Sequence, residues 1–252
     1  MRFSAAQIAT LASALLGVAQ ASSDLGSRAN PSVITKCIEP NTVAITFDDG
    51  PYNWTEDLVG LLDSYGAKGT FFVNGNNYGC IYSEDNVRRL EYLVKQGHQI
   101  ASHTWAHADL ATLNREQLRS EFAKTNEAIE KITGRNPAFM RPPYGSYNDL
   151  VVEVAAEKGQ TVVIWDFDSK DSIGAKPEQS KRDYDITLDK HPEHILTLNH
   201  ETIQTTAQDV IPYALKQIKA KGYKMATVAQ CLGKEPYQAV TKASTRDGSW
   251  TC

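Results

Sequence analysis

Asp48 and Asp49 stand side by side at the end of an apolar run, TVAITF, and Gly50-Pro51 follows at once. His103 and His107 lie four residues apart after a second such run, and His200 follows a third, ILTLN. Two imidazoles at i and i+4, on a helical turn or a loop curled like one, reach a single ion. One carboxylate added to them gives a three-ligand set of the kind catalytic zinc uses, with positions left for water and substrate. Cobalt or another divalent ion also suits such a set. The other carboxylate of the pair is then available to take a proton from water, whose pKa a bound cation lowers from about 15.7 to about 7. Arg141, in the stiff stretch Met140-Arg141-Pro142-Pro143, is placed to hold that base by a charge-assisted bond. His200 is a candidate general acid, and Asp168, or else Asp171, is a candidate to orient its ring and raise its pKa. Taken singly, each has an ordinary reading: an Asp-Gly turn, a surface Arg, a structural His. Their shared position at strand ends sets them apart.

The strand ends follow from periodicity. Seven β-rich runs, at 42–47, 69–73, 98–102, 137–140, 161–165, 194–198 and 223–228, alternate with helical patterns at 55–65, 84–96, 115–133, 147–158 and 207–221. Thr55, before Glu56, Asp57 and Leu58, is expected to cap the first helix. Such alternation predicts an α/β fold with parallel strands and helical crossovers: one domain, a distorted (β/α) barrel of about seven strands, with an open doubly wound sheet as the alternative. In a parallel barrel all strand C-termini share one face, where active sites are built.

Met1–Ala21 reads as a secretory signal, with Arg2, an apolar stretch from Ile8 to Val18, and Ala19-Gln20-Ala21 as the cleavage site. A polar, irregular leader is expected over 22–36, a domain over 37–232, and a polar tail over 233–252 packed on that domain. The protein is expected outside the cell or at its wall, as a monomer by default. Of 252 residues, 26 are Lys or Arg and 30 Asp or Glu, a net charge of -4, which argues against nucleic acid or an anionic membrane as partner. An even number of cysteines in a secreted chain suggests two disulfides, with three connectivities open. Cys37–Cys231 would tie the ends of the domain and Cys80–Cys252 would pin the tail; this pairing is favoured. Asn53-Trp54-Thr55 is an N-glycosylation sequon.

TFDDG at 46–50, HTWAH at 103–107, RPPY at 141–144, DSKD at 168–171 and LNH at 198–200 resemble, in order and spacing, the five motifs of the polysaccharide deacetylases (NodB-homology domain, carbohydrate esterase family 4). The resemblance spans about residues 40–230. Secretion, Cys37 and the stretch Trp165-Asp166-Phe167-Asp168 are most similar to fungal chitin deacetylases. The resemblance implies Asp49, His103 and His107 as ligands of a divalent metal, usually zinc. It implies Asp48 as general base, Arg141 as its tether, His200 as general acid with Asp168 as partner, and the Tyr144 N–H as oxyanion donor. The substrate implied is chitin or its oligomers. Peptidoglycan, O-acetyl xylan and a non-catalytic carbohydrate-binding relict are the alternatives. The fourth motif departs from pattern, with Ser172 after Asp171 where an aromatic is common. That wall of the sugar site is then either missing or supplied elsewhere, by Trp105 or Trp165, beside Tyr144.

Overall fold

The computed structural model describes residues 33–252 together with Met1; otherwise the expected signal (1–21) and the leader up to residue 32 lie outside the described residues. The strands are β1 Val33–Ile34, β2 Thr42–Ala44, β3 Thr46–Gly50, β4 Thr70–Val73, β5 Gln99–Ser102, β6 Arg135–Pro137, β7 Phe139–Met140, β8 Thr161–Val163, β9 Phe167–Asp168, β10 His194–Leu198, β11 Lys224–Ala226 and β12 Tyr237–Val240. The helices are α1 Thr55–Ser64, α2 Glu84–Lys95, α3 Arg115–Thr133, α4 Asp149–Glu157, α5 Pro177–Asp189, α6 Ile211–Ala220 and α7 Val228–Cys231.

Two parallel sheets carry the site, one ordered β1-β8-β7-β5-β4-β3 and the other β11-β2-β10-β9. They share chain at two places. The run from Thr42 breaks at Ile45, so β2 pairs in one sheet and β3 in the other; the run from Thr161 divides in the same way into β8 and β9. Asp48 in turn bridges to His200 just beyond β10. The result is a distorted barrel in which β3, β5, β7, β9 and β10 all end on one face. Helices cover the outside because their apolar stripes need a partner. Leu58, Leu62, Leu90, Leu93, Ile129 and Ile132 are buried against Phe47, Phe71 and Ile100.

Several expectations are corrected. Val33 and Ile34 were expected within an irregular leader, but they form β1 and pair with Val162 and Val163. Two β-branched residues beside the β8 edge complete a strand there. Thr55 does not cap α1: Trp54 occupies the N-cap with no side-chain bond, and the Thr55 hydroxyl is drawn instead to Tyr52 and Glu201. Helix α5 has no counterpart in the sequence pattern, because its buried stripe is only Ser180, Tyr184 and Leu188 among charged residues. Helix α6 is preceded by a π-helical turn, Thr206–Val210, and Cys231 sits on α7.

Both disulfides join as favoured, Cys37–Cys231 and Cys80–Cys252. The tail packs on the domain. β12 pairs antiparallel with β6, and Trp250 is buried beside Tyr82.

Candidate active site

In a regular strand, consecutive side chains point to opposite faces, so Asp48 and Asp49 should not share a site. A register shift between Asp48 and Gly50, with Asp49 at φ 74°, removes that conflict. Both carboxylates then approach one imidazole. His103 Nε2 lies 3.6 Å from Asp49 Oδ1 and 3.8 Å from Asp48 Oδ2. His107 Nε2 is 3.2 Å from the same Asp49 oxygen. The two histidines come from a loop with left-handed backbone at Thr104 and His107, not from a helix.

The ligand atoms of Asp49, His103 and His107 all lie within 4.8 Å of one another. His103 Nδ1 donates to the Arg141 carbonyl at 2.8 Å, which fixes the tautomer and leaves the Nε2 lone pair toward the acids. Burial holds the His103 imidazole below its ordinary pKa, in the neutral form a cation requires. Burial would raise Asp49, but its bond with His107 and the surrounding imidazoles outweigh this and lower it. Donor type, spacing and protonation state fit one divalent cation.

Arg141 is fully buried inside the barrel and reaches an acceptor with each of its N–H groups. Nη1 meets Asp48 Oδ1 at 2.8 Å and Thr46 Oγ1 at 2.7 Å. Nη2 reaches the Ile164 carbonyl at 2.9 Å and that of Thr197 at 3.5 Å, and Nε reaches Val163 at 3.3 Å. The guanidinium carbon lies 4.2 Å from the Phe72 ring centroid. One side chain therefore ties β3, β8 and β10 together where the two sheets exchange strands, and holds one oxygen of Asp48 while the other faces His103.

His200 is oriented by Asp171, not Asp168. His200 Nδ1 lies 2.7 Å from Asp171 Oδ1, and Asp171 Oδ2 accepts the His200 backbone N–H and the Thr206 hydroxyl, both at 2.8 Å. Asp168 instead accepts the Lys170 N–H at 2.7 Å, closing a turn in which Lys170 is left-handed (φ 60°) and which swings Asp171 back toward His200. Burial depresses the His200 pKa, but the Asp171 bond and charge, with help from Asp48 and Asp49, raise it to about 9. A cation beside Asp49 would offset the contribution of the acids and leave Asp171 as the main support. Asp171→Asn is therefore expected to move the alkaline limb of kcat/KM to lower pH and to cut kcat by about 10²-fold, read from a pH–rate profile. An unmoved limb would contradict this orientation.

Tyr144 has left-handed backbone at φ 60°, the residue is 71% exposed, and its ring lies 4.7 Å from that of His107. Trp165 packs over Gly145, where a Cβ would come within 2.9 Å of its ring, and stands 5.6 Å from Arg141. Trp105, the other expected sugar contact, is set instead against Gly75 and Tyr82, with Lys124 5.9 Å from its ring. Asn53 is exposed and accepts from Arg89 at 2.8 Å, whereas Thr55 of its sequon is buried.

Asn74 and Asn77 were missed by attention to titratable groups. Asn74 Nδ2 bonds the carbonyls of His103 and Thr104, and Asn77 Nδ2 lies 3.2 Å from Asn74 Oδ1 and 3.5 Å from Asp49 Oδ1. Asn74 follows β4 directly and Asn77 comes three residues later, and an amide at a strand end was the available signal.

A family model described as polysaccharide deacetylase matches residues 35–163. A chitin deacetylase of Pestalotiopsis is 36% identical over 235 residues, 90% of this chain and 76% of that protein. A probable peptidoglycan-N-acetylglucosamine deacetylase of Arthroderma benhamiae is 39% identical over 80% of this chain, which spans 46% of that longer protein. The structure of the chitin deacetylase from Colletotrichum lindemuthianum superposes with a TM-score of 0.79 at 31% identity, over 84% of this chain and 96% of that one. With the fold and the motif residues in agreement, the chain belongs to the polysaccharide deacetylase family.

Proposed function

We propose that the protein is a secreted, metal-dependent deacetylase that removes N-acetyl groups from chitin or chitin oligomers, giving glucosamine units and acetate. The observation that carries this reading is the convergence of Asp49, His103 and His107, with Asp48 held beside them by Arg141 and His200 backed by Asp171. The two disulfides suit an oxidising compartment. We include glycosylation at the exposed Asn53 in the proposal.

Asp49, His103 and His107 would hold the cation, taken as zinc, with cobalt a workable substitute. When bound it acts as a Lewis acid on the acyl oxygen and makes water a stronger acid. Asp48, held at Oδ1, uses Oδ2 to take a proton from water as the water oxygen bonds to the acetyl carbon. The Tyr144 N–H donates to the developing oxyanion. His200, oriented through Nδ1, gives a proton from Nε2 to the amine nitrogen as the C–N bond breaks. An amine leaves poorly unless protonated, so this step weighs more here than in ester cleavage. Tyr144 and Trp165 would line the sugar site.

Mass spectrometry of products from an N-acetylglucosamine pentamer, with and without chelator, tests the reading. Losses of 42 Da per site that stop on chelation and return with zinc support it. No mass loss from the pentamer, with acetate released from peptidoglycan or acetylxylan instead, would transfer the activity to that polymer.

A further inference from the structure

Glu201 follows the general acid directly, yet no step above uses it. It is completely buried, and among the described residues its Oε1 has no hydrogen-bond partner. Its Oε2 meets the Thr55 hydroxyl, which also bonds both Tyr52 N and Tyr52 O and so closes the turn after the acidic pair. The Glu201 N–H donates to the Asp48 carbonyl at 3.3 Å, and the Asp48 N–H donates to Asn199 at 2.9 Å. The carboxyl presses on the bulge itself: a Cβ added to Gly50 would lie 1.4 Å from Oε1. Gly50 thus supplies the space that Glu201 occupies.

We propose that Glu201 is a positioning residue, wedged between Gly50 and Thr55, that locks the bulge presenting Asp48 and Asp49 and keeps it in register with His200. Asp49 needs the support, because left-handed backbone is unfavourable for a residue with a Cβ and persists only where its surroundings impose it. A carboxylate bonded to one hydroxyl, with its other oxygen unpartnered, is poorly held in a buried site, so the wedge is the neutral acid. In agreement, burial raises its pKa to about 8. An amide of the same shape should therefore replace it, and a small apolar residue should not.

The role rests on the cation site of the proposed function but is tested apart from it, by cobalt(II) binding to the purified protein without substrate. Glu201→Gln is expected to stay within about 3-fold of wild type in cobalt affinity and in kcat. Glu201→Ala is expected to weaken cobalt by about 10-fold and lower kcat by about 10²-fold, with KM little changed. Gly50→Ala, which displaces the carboxyl while leaving it in the chain, should give the same losses, and the double variant should add little. Circular dichroism establishes that each variant is folded. If one alanine variant fails to fold, the other carries the test. Wild-type cobalt affinity and kcat in a folded alanine variant would overturn the proposal, as would a Gln variant that falls as far as Ala. A wild-type protein that binds cobalt but releases no acetate from the pentamer would instead overturn the function, leaving the cobalt comparison to judge Glu201.

Discussion

Asp48→Asn is expected to lower kcat for acetate release by about 10³-fold while one cation per chain still binds. The asparagine keeps the shape, and its carbonyl still accepts from Arg141, but its amide cannot take a proton. The cation contacts belong to Asp49, His103 and His107, so affinity should hold within a few-fold. A competing effect has to be weighed. The substitution removes the only carboxylate, among the described residues, in contact with a fully buried guanidinium, and breaking such a pair typically costs about 3–5 kcal/mol. Four other Arg141 contacts survive, so the cost should fall at the low end, and assays at low temperature keep the variant folded. Normal turnover in Asp48→Asn would show that another group accepts the proton.

Arg141→Met should be the most destabilising single change in the site. It leaves the Asp48 carboxylate buried without its cation and removes donors from Thr46, Val163, Ile164 and Thr197. Loss of about 4–5 kcal/mol is expected in urea unfolding, with kcat down by at least about 10²-fold in whatever remains folded. Arg141→Lys should recover only part of this. One ammonium can meet Asp48, but it cannot span the carbonyls of two strands at once. A methionine variant as stable as wild type would refute the view that this side chain joins the two sheets.

The proposed base Asp48 and the proposed ligands Asp49 and His103 were legible in the sequence because each sits where an apolar run ends in a titratable residue, with His107 four residues further on. A parallel barrel gathers such ends whatever lies between them. Less legible was how neighbours in a strand come to share a face, since a bulge leaves no mark in hydrophobic periodicity. The choice between Asp168 and Asp171 depended on a left-handed turn at Lys170, a residue type that gives no warning of one. Helix α5 escaped because a three-residue stripe among charges is too narrow for the pattern to register. Glu201 escaped for a different reason. Its meaning lies in the missing side chain of Gly50, a relation between residues that meet only in space.

Anomalous diffraction at the zinc edge from zinc-loaded crystals tests the central claim most directly. One peak is expected, at about 2.0–2.2 Å from Asp49 Oδ1, His103 Nε2 and His107 Nε2, with Asp48 close by but outside bonding distance. A peak bonded to Asp48, or none among these three side chains, would contradict the account.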